Sequence, residues 1–134
     1  MKLIINNEQS FEEISNSFTE LFPFLKLEFF SKTHSSGEAS SNKFLLPKEL
    51  TPGDCRTVYH SDEITITPDM TVNELEQLLS TEYGLGVQVF RKSGTVWLET
   101  TLTDSWTLAE QNSEGEALSQ KIEPDEPTYY QDID

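Results

Sequence analysis

The chain contains one cysteine, Cys55. That excludes an intramolecular disulfide and any cysteine-built zinc knuckle, and it fits a reducing compartment. Bases are also scarce: 9 Lys and Arg stand against 24 Asp and Glu, for a formal net charge of -15. Such a field repels nucleic-acid phosphates and anionic membrane surfaces, so neither is an expected partner. It serves solubility first and attraction of basic protein surfaces second. No apolar run approaches transmembrane length, and the opening MKLIINNEQS has too short an apolar core for a signal peptide. A cytoplasmic protein is therefore expected. With two histidines, His34 and His60, there is little material for catalysis. No GxGxxG, HExxH, calcium loop or glycosidase-type carboxylate pair occurs, so no catalytic residue, metal ligand or cofactor is assigned.

The acids that are present are unevenly placed. Fourteen acids and 8 bases precede Glu99, while 10 acids and 1 base lie from Glu99 onward. The length suits one domain, residues 1–118, with a tail over 119–134. The tail, SQKIEPDEPTYYQDID, combines two prolines with many acids and reads as disordered. Tyr129 and Tyr130 within it are a candidate docking point, although such a pair is more simply solvated.

The clearest local pattern runs from Glu63 to Thr101. Ile64 and Ile66 alternate with threonines as a strand that Pro68 ends. Thr71 and Glu74 stand at capping-box spacing, with Val72, Leu75, Leu78, Leu79 and Tyr83 as a helical stripe and Gly84 as the stop. Val87 and Val89, then Val96 and Leu98, predict a hairpin turning at Lys92-Ser93-Gly94. An even-length loop keeps these four on one face and puts Phe90 and Trp97 on the other. The first thirty residues repeat the pattern. Leu3 and Ile5 alternate, Ser10 and Glu13 form a second capping box, and Phe11, Ile14, Phe18, Leu21 and Phe22 make a stripe before Pro23. Leu25, Leu27 and Phe29 follow as a strand. At an offset of 61, Leu3 falls on Ile64, Ser10 on Thr71 and Glu13 on Glu74, as two βαβ halves in tandem require, whether by ancestry or by obeying the same local rules. A third capping box, Thr107 and Glu110, opens a short helix expected to end near Asn112. Residues 31–62 form a long irregular connection, broken by Pro47, Pro52 and Gly53.

Two βαβ halves sharing a sheet predict an α+β two-layer sandwich of ferredoxin-like type, with sheet order 5-4-1-3-2 once the hairpin strand is added. Its core face would hold Leu3, Ile5, Leu25, Leu27, Ile64, Ile66, Val87, Val89, Val96 and Leu98. Residues 64–112, with ITIT, PDMTVNELEQLL, VQVF and TLAEQN in order, also resemble part of a ubiquitin-like β-grasp domain. That resemblance implies a fold alone; the C-terminal diglycine of conjugated modifiers is absent.

Alternation brings Ile4, Phe30, Phe90 and Trp97 to the sheet face opposite the helices, among Lys26, Glu28, Thr65, Gln88 and Glu99. Without a basic surround these aromatics do not make an RNA platform. Either the connection over 44–59, Trp106 and the last helix cover them, or they form a protein interface. The expectation is a non-catalytic, acidic interaction module that binds a protein partner or itself. The alternative is a small-molecule or enzymatic pocket near Cys55, Tyr59 and His60.

Overall fold

The computed structural model describes residues 1–31, 44–55 and 63–120. In chain order its elements are β1 (Lys2–Ile4), α1 (Phe11–Leu21), β2 (Leu25–Phe30), α2 (Pro52–Cys55), β3 (Glu63–Thr65), α3 (Val72–Tyr83), β4 (Gly86–Ser93), β5 (Val96–Glu99) and α4 (Leu108–Gln120), with a 3-10 turn at Thr101–Thr103. The fold is α+β, with antiparallel strands in two sheets.

All three long helices begin where the sequence marks them. Ser10 Oγ accepts from the Glu13 N–H while Glu13 accepts from the Ser10 N–H, and Thr71 with Glu74 and Thr107 with Glu110 do the same. Each box satisfies one orphan donor of the first turn and fixes where the chain enters the helix. Gly84 closes α3 in the left-handed region at φ 66, where a Cβ would be strained.

Sheet order departs from 5-4-1-3-2. β1 and β3 are neighbours, as that order has them, but they form an antiparallel ladder of their own, Lys2 with Thr65, Leu3 with Ile64 and Ile4 with Glu63. β2 pairs with β4, not with β3, and the second sheet runs β2-β4-β5. The reason is length. Strands of three residues offer too few ladder bonds to sit between strands of six and eight. The resulting pairing joins equivalent strands of the two halves. Leu3 faces Ile64, its counterpart at the offset of 61, and β2 faces β4, as a local twofold between the halves demands.

Leu25, Leu27 and Phe29 of β2 and Val87 and Val89 of β4 turn to one face, where α1 and α3 close over them. Together with Leu3, Ile5, Ile64 and Ile66 they form one continuous core with Phe11, Ile14, Phe18, Leu75, Leu79 and Tyr83. The hairpin has the even loop, two residues, with Gly94 at φ 66. Its turn lies at Gly94-Thr95, two residues beyond the expected start, because Lys92 and Ser93 belong to β4.

Two expectations fail at the hairpin end. Val96 and Leu98 lie on the core side of the sheet, yet they are 53% and 41% exposed and are not core residues. The covering helices stop short of β5. The last helix also runs eight residues beyond Asn112 to Gln120. Its contacts are polar, so periodicity does not reveal it. Asn112 Oδ1 accepts from the Phe24 N–H at 2.8 Å, and buried Gln111 bridges Arg91 Nη1 to the Thr103 carbonyl and hydroxyl, each at 2.8 Å. Gly115 permits the close approach. A Cβ there would stand 2.8 Å from Phe24 Cβ and 3.2 Å from Arg91 Cγ. The first turns of α3 and α4 are satisfied reciprocally: Val72 and Asn73 donate to Trp106 and Asp104, while Leu108 and Ala109 donate to Met70 and Pro68. Residues 64–112 therefore do not close into a β-grasp. Their late TLAEQN opens a 13-residue helix, and β3 pairs outside the segment, with β1.

Candidate functional site

The pairs Lys26 with Phe90, Phe90 with Glu99 and Lys92 with Trp97 set these side chains in register on the sheet face away from the helices. Phe90 and Trp97 are diagonal neighbours. Lys26 Nζ lies 5.5 Å from the Phe90 ring centroid and 5.1 Å from that of Trp97, and forms an ion pair of 2.9 Å with Glu28. The ammonium takes up both quadrupoles while its stem covers apolar surface. Phe90 and Trp97 are half-buried as a result.

The other two aromatic-face candidates lie apart. Phe30 is buried at the end of β2, opposite Gly86 and bridged on its outer side to Leu45. Ile4 is 42% exposed but belongs to the β1-β3 ladder. Neither Trp106 nor α4 covers the aromatic pair. Trp106 packs over Arg91, whose partner Leu25 is a core residue, so both lie on the helix side. The connection does not cover it either, as far as it is described. Ser31 donates to the Phe44 carbonyl and Leu46 to the Phe29 carbonyl, so 44–46 runs beside β2 in the plane of the sheet.

The expected order 5-4-1-3-2 already sets β5 at the edge beside β4, but the sequence reading gave that edge no role. β5 is the outermost strand of its sheet. The Thr100 N–H donates to the Val89 carbonyl at 3.3 Å, which makes residues 89 and 100 a hydrogen-bonded pair. By alternation Val96 and Leu98 spend their backbone groups on β4, while Trp97 and Glu99 turn theirs outward. Beyond Thr100 the edge of β4 is closed by a side chain. Glu76 is 2% exposed on α3 and its Oε2 accepts from the Val89 N–H at 2.9 Å. Nothing in the sequence marks this role, because a charged residue two positions beyond a capping-box glutamate ordinarily lies in solvent. Leu102, 98% exposed on the 3-10 turn, adds apolar surface after β5.

Two other places bear on chemistry: Cys55 and a groove beside α1. Cys55 ends α2, half-exposed, and its thiol is pushed above the ordinary range by burial and then by the Asp54 carboxylate. That keeps it protonated and a poor nucleophile. Tyr59, His60, Tyr129, Tyr130 and His34 lie outside the described residues. An open groove of about 540 Å³ runs between α1 and residues 45–49, floored by Leu27 and Phe29. Cys55 does not line it. Among the described residues no group of three His, Cys, Asp or Glu could hold a metal ion, and no helix is long and apolar enough to cross a membrane.

Fold and site together define an α+β protein with a lysine-capped aromatic face beside an edge strand, β5, that no other described strand pairs. No family model, no curated protein and no solved structure matches the chain.

Proposed function

We propose that the chain is a non-catalytic, acidic protein-interaction module, cytoplasmic in setting, whose binding surface is the Phe90–Trp97 face together with the open side of β5. One observation carries this reading. β5 ends the sheet with its outward backbone groups unpaired by any described strand, and it displays Val96, Leu98 and the half-exposed Trp97. An edge strand of this kind is normally protected by charge, proline or a bulge, and β5 has only Glu99. A partner strand here would gain ladder bonds and bury apolar surface on both faces of the sheet. The face also carries Lys26 and Lys92, which offset Glu28 and Glu99 there. The raised thiol range of Cys55 speaks against nucleophilic chemistry.

The test is an affinity capture from cell lysate with the wild-type chain and with Trp97→Ser and Phe90→Ser. Proteins held by the wild type and lost with both variants support the reading. Equal capture by all three chains, with no self-association of the wild type, refutes it.

A further inference from the structure

Resting on the interaction reading above, we infer that the occupant of the β5 edge is a second copy of this chain, paired antiparallel about Trp97. The strand is self-complementary in that register. Thr95, Val96, Trp97, Leu98 and Glu99 set against themselves with Trp97 at the centre place Val96 opposite Leu98 of the second copy, and Thr95 opposite Glu99. Trp97 then faces Trp97 of the second copy as a hydrogen-bonded pair whose outward backbone groups supply donor and acceptor, and the outward groups of Glu99 meet the turn at Thr95. A slip by one residue would oppose outward groups to inward ones and lose the ladder.

Side chains agree with this register on both faces. On the helix side, Val96 and Leu98 of each copy, 53% and 41% exposed in the single chain, close into a four-residue apolar cluster. On the other side the two Trp97 rings meet edge to edge across the axis. Each keeps Lys26 over its ring and Lys92 as its neighbour on β4. Tryptophan at the centre of a patch ringed by less apolar groups is the arrangement that concentrates binding energy. The two Glu99 carboxylates end at opposite limits of the joint ladder and do not face each other, so no like-charge pair sits inside it.

The size of the contact and the net charge set the strength. Five residues a side with their neighbours bury less than the roughly 1,200 Å² at which standard specific interfaces begin, so the dimer is weak and transient. Each copy carries -15, and long-range repulsion opposes pairing. Salt therefore strengthens this association by screening. Binding to a basic partner would respond to salt in the opposite sense.

Sedimentation velocity of the full chain, from about 10 µM to about 1 mM at low and high salt, tests the inference. A reversible monomer–dimer equilibrium is expected that shifts toward dimer at high salt. Val96→Lys and Leu98→Lys alter exposed side chains, so both variants should keep the wild-type circular dichroism spectrum while weakening the dimer by about tenfold or more. A wild type that stays monomeric at every concentration and salt overturns the second-copy inference. A dimer that both folded variants form as well as the wild type overturns the β5 edge as its site. In either case the lysate capture reads the broader interaction surface separately: specific capture lost with Trp97→Ser leaves that reading standing, and its absence removes both.

Discussion

Replacing Glu76 by alanine removes the side chain that takes the Val89 N–H at the edge of β4 beyond β5. The carboxylate is buried on α3 and takes the Val89 N–H at 2.9 Å. Alanine leaves that donor facing a gap. A hydrogen bond to a charged acceptor contributes about 1.5–3 kcal/mol, and stranding its buried donor costs about 1–3 kcal/mol. These overlap and are not summed. The lost side-chain volume adds about 1 kcal/mol more. Against this, alanine relieves the desolvation of a buried charge and improves helix propensity slightly. The net expectation is a loss of about 3 kcal/mol for Glu76→Ala and about 1 kcal/mol for Glu76→Gln, which keeps the shape and one acceptor. Urea denaturation at a common m-value measures both, and amide exchange at Val89 reports the site itself. An alanine variant within about 0.5 kcal/mol of the wild type, with Val89 still protected, would refute the reasoning.

Three other outcomes follow from the same geometry. Ser10→Ala, Thr71→Ala and Thr107→Ala should each cost about 1 kcal/mol in denaturant unfolding, because each hydroxyl takes an N–H of a first turn; no loss at any of the three would contradict the capping account. Gly115→Val should cost about 2 kcal/mol or more and loosen α4, since its Cβ would stand 2.8 Å from Phe24 Cβ; a variant as stable as the wild type would mean α4 docks more loosely. Cys55 should react with a thiol reagent more slowly at mildly alkaline pH than a free cysteine, and its rate should rise only at higher pH. Its raised pKa means the folded chain holds that proton more tightly than the unfolded chain. The resulting stabilisation is complete below the unfolded pKa and is lost as pH rises through the folded one, so thermal unfolding followed across the alkaline range should show a small decline.

The local grammar of this fold was legible. Ser10 with Glu13, Thr71 with Glu74 and Thr107 with Glu110 mark helix starts because a capping box is a four-residue device that needs nothing distant. Strand faces were legible too, and the even hairpin loop follows from keeping Val87, Val89, Val96 and Leu98 on one face. Alternation says which way a side chain points but not which strand lies alongside, so β2 could be read against β3 when it lies against β4. It also cannot say whether a helix reaches far enough to cover a face. Val96 and Leu98 have core periodicity and end in solvent because α1 and α3 do not extend over β5. α4 lacked an apolar stripe because Gln111, Asn112 and Gly115 hold it, and these residues ordinarily mark a helix end. Of the site, Phe90 and Trp97 were found together, whereas Phe30 is buried and Ile4 lies in the other ladder. The expected order already set β5 at a sheet edge; which of its backbone groups stay open follows from the pairing of Thr100 with Val89, which no local pattern encodes.

Amide hydrogen exchange along β5 tests the central claim most directly. In dilute monomer, Trp97 and Glu99 should exchange fast, because their N–H groups face outward, while Leu98 is protected by β4. When a partner or a second copy binds, Trp97 and Glu99 should become protected and Leu98 should change little. Trp97 and Glu99 already protected in dilute monomer, or still fast in a saturated complex, would contradict the assignment of β5 as the interaction edge.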